Sequence, residues 1–278
     1  LAAVELLMKT IVVTDIHGCL EELESVLAQA GFDSEADKLI CLGDLMDRGP
    51  YSFGVFDRFR SLKRKMGERC IMILGNHDDM MMNSFYDPAV YARWMRNQGQ
   101  TTLDSFEEHH CDLEKQLRWF HEMCPYYENE DAIFVHAGLV HEKTEDNSLH
   151  DLIWDREMAH GRQYDGKLVI FGHTETEEVT YRSPDGTKLQ LLPGEIYELP
   201  KQGCINMDTG CVELKYTDGS LLAIDCTAVE NQIVDNLYQR SELDYLIYND
   251  PVGYADLILN GDPELYLKAV TEYTHYEN

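Results

Sequence analysis

Positive charge is scarce in this chain. Lysine and arginine number 23 against 51 aspartates and glutamates, for a formal net charge of −28 over 278 residues. Nucleic-acid backbones and anionic lipid surfaces both require a basic footprint, so neither is an expected partner. An acidic protein can still bind phosphate locally where metal ions dominate the field of a site. Long hydrophobic runs are also missing: none approaches the ~20 residues of a membrane-spanning helix. The opening stretch, Leu1 to Met8, has no basic segment and no initiating Met, which argues against a secretory leader. Met8 is the expected natural start, with residues 1–7 an extension or an expression remnant. The eight cysteines include no Cys-x-x-Cys pair, and several sit in apolar runs such as Cys70-Ile71-Met72-Ile73-Leu74. They read as buried, reduced thiols of a cytoplasmic protein and not as a metal cluster. Repeats and low-complexity linkers are absent too. What remains is an ordinary apolar fraction of 44%, enough at this length for a large core.

The densest polar stretch is Gly43-Asp44-Leu45-Met46-Asp47-Arg48-Gly49. The apolar run Leu39 to Leu42 leads into it and predicts a buried strand, while Gly49-Pro50 turns the chain away. Two carboxylates and a guanidinium in a glycine-rich turn pack poorly but suit a cation beside a phosphate. The same plan precedes and follows it. A strand over Lys9 to Thr14 ends in Asp15-Ile16-His17-Gly18, and apolar residues at Leu20, Leu23, Val26 and Leu27 then predict a helix to Ala30. A helix is predicted from about Phe53 to Met66. A strand over Cys70 to Leu74 then ends in Gly75-Asn76-His77-Asp78, with a Met-rich helix from Asp79. Strand, polar turn and helix in threefold succession predict an α/β core of parallel strands, whose ligands sit beyond the strands' carboxyl ends.

Ser84 to Met123 is predicted to be mostly helical and to edge a substrate cleft, with its Met and Trp residues in the core. Two further apolar strands end in His136-Ala137-Gly138 and Gly172-His173-Thr174. From Thr180 the pattern changes to short strands: a hairpin turning at Ser183-Pro184-Asp185-Gly186, then Cys204 to Met207, Val212 to Tyr216 and Ser220 to Ile224. These predict a second, mostly antiparallel sheet packed on the first. The acidic, Tyr-rich segment 227–278 predicts a helical appendage, which leaves 8–226 as the catalytic domain.

Asp15, His17, Asp44, Asn76, His136 and His173 together supply three imidazoles, two carboxylates and a carboxamide. That mixture suits manganese, iron or zinc rather than calcium. Six donors exceed one tetrahedral ion and suit two ions sharing a carboxylate, which activate water and clamp a phosphoryl group. His77, Asp47 and Arg48 are left over. An uncommitted His can be a general acid, an Asp can orient it, and an Arg can grip phosphate oxygens.

These five ordered motifs resemble those of the phosphoprotein phosphatase family, within the calcineurin-like metallophosphoesterases. Within it the chain resembles the compact bacterial and bacteriophage-type serine/threonine phosphatases, with Trp154-Asp155-Arg156 and Asn206-Met207-Asp208-Thr209-Gly210 as further matching elements. The resemblance covers about Lys9 to Ile224. It implies a four-layer α/β/β/α sandwich. It places Asp15, His17 and Asp44 on one metal ion and Asp44, Asn76, His136 and His173 on the other, manganese being the first expectation for both. It makes His77 the proton donor with Asp47 as its partner, and Arg48, Arg156 and Asn76 the phosphate ligands. The nucleophile it implies is a metal-bridging hydroxide that attacks phosphorus directly.

Asp78 departs from the pattern, standing where eukaryotic members usually carry Glu. The short connection from Met207 to Val212 leaves no room for their long toxin-binding loop. The reading that follows is hydrolysis of phosphoserine and phosphothreonine proteins, with phosphotyrosine as an extension. The alternative is a symmetric dinucleoside tetraphosphate hydrolase, which shares the motifs. A non-catalytic binding module would show a missing ligand or a missing His77, and every position is filled by a competent residue.

Overall fold

The computed structural model of the protein describes residues 9–194, 196–209, 212–215, 221–224, 257, 263 and 266–268. The expectations for residues 1–7 and for the connection at 216–220 between the strands predicted at Val212 and Ser220 lie outside the described residues. So does the expected appendage at 227–278, apart from its helical positions 257, 263 and 266–268. The chain divides into two compact units, residues 1–174 with 178–208 and residues 175–177 with 209–278.

The first unit begins with a parallel sheet of β1 (Thr10–Val13), β2 (Lys38–Cys41) and β3 (Cys70–Met72), in that order. Parallel neighbours need crossovers, and α1 (Leu20–Gln29) and α2 (Ser52–Met66) supply them. A helical stretch follows: α3 (Asn76–Ser84), α4 (Pro88–Arg96), α5 (Gly99–Glu108) and α6 (Leu117–Phe120). Then come β4 (Tyr126–Glu128), β5 (Ile133–Val135), α7 (Leu149–Trp154), α8 (Glu157–His160), β6 (Val169–Phe171), β7 (Thr180–Arg182), β8 (Lys188–Gln190) and β9 (Cys204–Asn206). Their six strands form one sheet, ordered β4-β5-β6-β9-β7-β8.

Alternation along the strands builds the layers. Leu39 and Cys41 of β2 face a core shared with Phe56, Phe59, Trp94 and Phe106 of the first helical layer. Ile40 of β2 and the following Leu42 face the other way, against Phe134, Ile170 and Ile205 of the second sheet. Ile133, Val135, Val169 and Phe171 turn outward again, onto Leu152, Ile153 and Met158 of the α7–α8 layer. Three apolar seams between helix, sheet, sheet and helix are the expected sandwich.

The second sheet differs from its prediction. It is mixed, with β5-β6-β9 parallel and the outer pairings antiparallel. It already contains the strands before His136 and His173, together with a short edge strand, β4, that apolar patterning did not signal. In the second unit, β10 (Val212–Lys215) and β11 (Leu221–Ile224) pair antiparallel with each other in a ladder of their own. Strand composition records burial, not which neighbour a strand will choose.

Candidate active site

The five polar clusters follow β1, β2, β3, β5 and β6, so both sheets deliver residues to one edge. The backbone there is unusual. Asp15, His17, Asp44, Asp47, Arg48 and His173 all have φ between 45° and 73°; among the described non-glycine residues only Gln98 and His110 share that sign. Each such residue costs about 1–3 kcal/mol and persists only where its surroundings enforce it. Here the loops tie one another down: His17 N–H donates to the Asp44 carbonyl (2.9 Å), Gly49 N–H to that of His17 (2.8 Å) and Gly172 N–H to that of His136 (2.8 Å). Gly75 and Gly172 permit the close approaches, since a Cβ would run into the Asp44 carboxylate at the first and into Thr14 and the Asp15 carboxylate at the second.

Asp44 is central. Its Oδ1 accepts the His77 amide (2.9 Å), while Oδ2 lies 3.5 Å from His17 Nε2 and 3.5 Å from His136 Nε2. Both imidazoles have fixed tautomers. His17 Nδ1 donates to the Met46 carbonyl (2.8 Å) and His136 Nδ1 to that of Leu42 (2.9 Å), so each Nε2 presents a lone pair. His136 Nε2 also lies 2.9 Å from Asn76 Oδ1, and His173 Nε2 is buried with no hydrogen-bond partner. Burial holds all three imidazoles below their ordinary range, helped by the Arg48 charge at His17 and by the neighbouring His136 at His173. Burial and then the Asp15 charge push the Asp44 carboxyl well up.

Converging lone pairs, an orphaned ring nitrogen and a carboxylate unhappy in its charged form are the needs that a cation meets. Two sets, His17 with Asp44 and His77, and Asp44 with His136 and His173, place one donor atom each within 4.8 Å of the others. The first set has His77 where Asp15 was expected. The Asp15 carboxylate instead accepts the Thr14 hydroxyl and the His173 amide (3.0 Å for the latter), so it ties the β1 loop to the β6 loop beside Asp44.

His77 and Asp47 form a second group. His77 Nδ1 lies 2.8 Å from Asp47 Oδ2, and Arg48 Nη2 lies 3.5 Å from His77 Nε2. Burial lowers the His77 pKa well below the imidazole range, with the Arg48 charge acting the same way. Burial lifts Asp47 to about 7, against hydrogen bonds from Thr102 and Trp94. The Arg156 charge reaches His77, His136 and His173, which places it at the same edge. The loop that carries it is pinned by its neighbour Asp155, which takes a two-pronged bond from Arg162 (2.9 and 2.9 Å).

Three features were not read from the sequence. Asp78 does more than occupy a family position: its buried carboxylate accepts the amides of Asp44 (2.8 Å), Leu45 (3.1 Å) and Gly75 (3.2 Å). By capping the chain at Gly75 it also starts α3 at Asn76, three residues before the predicted helix start at Asp79. Asn206 donates to the Thr174 carbonyl (2.7 Å) beside His173. Trp94 and Thr102, in the stretch expected to edge a cleft, both bond to Asp47. Only a polar hydroxyl in a helix and an indole N–H in an apolar face hinted at the last pair.

A family model described as calcineurin-like phosphoesterase matches residues 8–184. A second model, for a family of unknown function (DUF6061), matches residues 202–277. The symmetrical bis(5'-nucleosyl)-tetraphosphatase of Serratia proteamaculans (strain 568) is 35% identical over 134 residues, which cover 48% of this chain and 44% of that protein. The same enzyme of Pectobacterium atrosepticum is 37% identical over 134 residues, with the same coverage of 48% and 44%. The matched stretch is thus less than half the length of either relative. A solved cold-active protein tyrosine phosphatase is similar in fold, with 14% identity, a TM-score of 0.50 and coverage of 77% of this chain and 78% of that one. Among the described residues no helix is long and apolar enough to cross a membrane.

Proposed function

The chain belongs to the calcineurin-like phosphoesterase family, and we propose that it hydrolyses a symmetric dinucleoside tetraphosphate at a site for two divalent ions. The observation behind the reaction class is Asp44 Oδ2, 3.5 Å from an imidazole of each sheet. One carboxylate oxygen between two lone-pair nitrogens is the donor set of a shared ligand. Asp15, His17 and Asp44 would hold one ion, and Asp44, Asn76, His136 and His173 the other, with manganese the first candidate. Bound there, the ions supply Lewis acidity and an activated water for displacement at phosphorus.

The chain's own groups do the rest. Arg48 and Arg156 grip the phosphoryl oxygens, and Asn76 adds an amide donor from the first turn of α3. In its doubly protonated form His77, its Nδ1–H held by Asp47, directs its Nε2–H at the leaving oxygen and gives up that proton as the phosphorus–oxygen bond breaks, which leaves the ring neutral. The relatives' names support the dinucleotide as substrate, and they favour it over the phosphoprotein that motif resemblance alone ranks first.

The test is a parallel assay of metal-stripped protein with Mn²⁺ restored, on diadenosine tetraphosphate, a phosphoserine/phosphothreonine peptide and a phosphotyrosine peptide. The dinucleotide is expected to lead by about 100-fold or more in kcat/KM, with ADP as the sole nucleotide product. A lead for either peptide overturns the substrate, and turnover of none overturns the reaction class.

A further inference from the structure

We propose that Thr102 and Trp94 are positioning residues of the hydrolytic reaction. They clamp the Asp47 carboxylate so that it holds the His77 ring with Nε2 turned to the site. The proposal rests on the reading of His77 as proton donor.

Asp47, Trp94 and Thr102 are each 0% exposed, so their polar atoms have only one another and their immediate neighbours to satisfy them. The Trp94 indole N–H lies 2.9 Å from both carboxylate oxygens, which fixes the rotation of the carboxylate plane. The Thr102 hydroxyl donates to Asp47 Oδ1 (2.7 Å), and its oxygen accepts the Asp47 backbone amide (2.9 Å). One hydroxyl therefore grips both the side chain and the main chain of a residue held at φ 73°. The Ser52 hydroxyl, 3.2 Å from Thr102 Oγ1, adds a third neighbour from the start of α2. Oδ1 takes the Thr102 hydroxyl, and Oδ2, which shares the indole N–H with it, faces His77 Nδ1 at 2.8 Å.

The helices are shaped to deliver these groups. Asp87 caps α4 through the amides of Ala89 (2.8 Å) and Val90 (3.4 Å), with Pro88 in its first turn. Gly99 at the start of α5 leaves room for the indole, since a Cβ there would sit against the Trp94 ring. A buried carboxylate needs hydrogen bonds wherever it lies. Storage of an awkward charge would not, however, require the same donors to set the rotation that its partner imidazole reads.

Thr102→Val removes the hydroxyl with little change of shape, Thr102→Ser restores it, and Trp94→Phe removes only the N–H. Each is measured alone and in a His77→Asn background, with kcat, KM and bound metal recorded for diadenosine tetraphosphate and for phenyl phosphate, whose more basic leaving oxygen needs the proton. The His77 ring is followed by ¹⁵N NMR. Thr102→Val is expected to lower kcat by about 10- to 100-fold with KM and metal content unchanged, the usual worth of an outer partner of a working imidazole. Thr102→Ser should recover to within about 3-fold, and the valine change should cost less than about 2-fold once His77 is absent, because the two act as a unit. The hydrogen-bonded Nδ1–H signal of His77 should persist in wild type and the serine variant and be lost in the valine variant. An equal cost of Thr102→Val with and without His77, or an unchanged Nδ1–H signal, overturns the proposal. Full activity of His77→Asn alone would instead remove His77 as proton donor, and the NMR arm would still decide whether the clamp orients the ring.

Discussion

The two halves of this site are finished differently. Around Asp44, donor atoms from both sheets converge with lone pairs to spare: His173 Nε2 has no hydrogen-bond partner, and His136 Nε2 faces Asn76 Oδ1 at 2.9 Å. Around Asp47 the carboxylate is saturated, taking Trp94, Thr102 and His77 at 2.7–2.9 Å. An under-bonded buried cluster is stable only when something else completes it. A fully bonded one needs no visitor and serves to hold an orientation. One half is shaped for a cation and the other for the placement of a proton, and substitutions in the two should fail in different ways.

The largest effect is expected in the first half. Asp44→Asn removes the charge that both sets of donors share, so bound metal should fall below one ion per chain and kcat by at least about 10³-fold. Elemental analysis beside turnover checks it; a variant retaining two ions per chain would dissolve the distinction between the halves. His77→Asn should leave metal content near normal and reduce turnover by roughly 10²–10⁴-fold. The loss should lie lower in that range for the dinucleotide than for a phosphoserine peptide, because a phosphate oxygen leaves as a weaker base than an alkoxide. An equal loss on both would place His77 in binding and not in proton transfer.

Asp78 belongs to neither half and supports both. Its carboxylate accepts three backbone amides in the β2 and β3 loops, so Asp78→Ala orphans three buried donors at once. The expected cost is about 3 kcal/mol, read as a fall in the thermal midpoint of the metal-free protein by several degrees. A midpoint within a degree of wild type would show that the loops hold their left-handed residues without it.

How much of this was visible beforehand follows from the range over which each interaction acts. The metal-type donors were legible because strand periodicity and glycine mark where a strand ends, and Asp15, His17, Asp44, Asn76, His136 and His173 all sit at such ends. The pairings that finish the site span the chain: Trp94 lies 47 residues from Asp47 and Thr102 lies 55. No local pattern records such a meeting, so an indole that also packs in the core read only as core. The early start of α3 was hidden for a related reason. Asn76 and His77 are poor helix formers, and what begins the helix there is Asp78 reaching back to Gly75. Membership of the second sheet was illegible because β5 and β6 are as apolar as β2, and β9, the next neighbour of β6, lies beyond a hairpin.

The smallest effect is the sharpest probe of the contrast. Asn206 is not one of the six donors, yet its amide bridges the Thr174 carbonyl (2.7 Å) and the Asp208 N–H (3.1 Å). It therefore fixes the main chain immediately after His173, whose φ of 68° needs that support. Asn206→Ala should loosen the placement of one imidazole without touching the Asp47–His77 pair. Apparent Mn²⁺ affinity should drop by about 10-fold, as for other outer partners of metal-ligating groups, while kcat at saturating Mn²⁺ stays within about 3-fold of wild type. Thr102→Val is expected to do the reverse, lowering kcat at every metal concentration and leaving the Mn²⁺ titration in place. If both variants shifted the titration, or both lowered only the plateau, the two halves would be one cooperative unit, and the division of labour read from their bonding would be wrong.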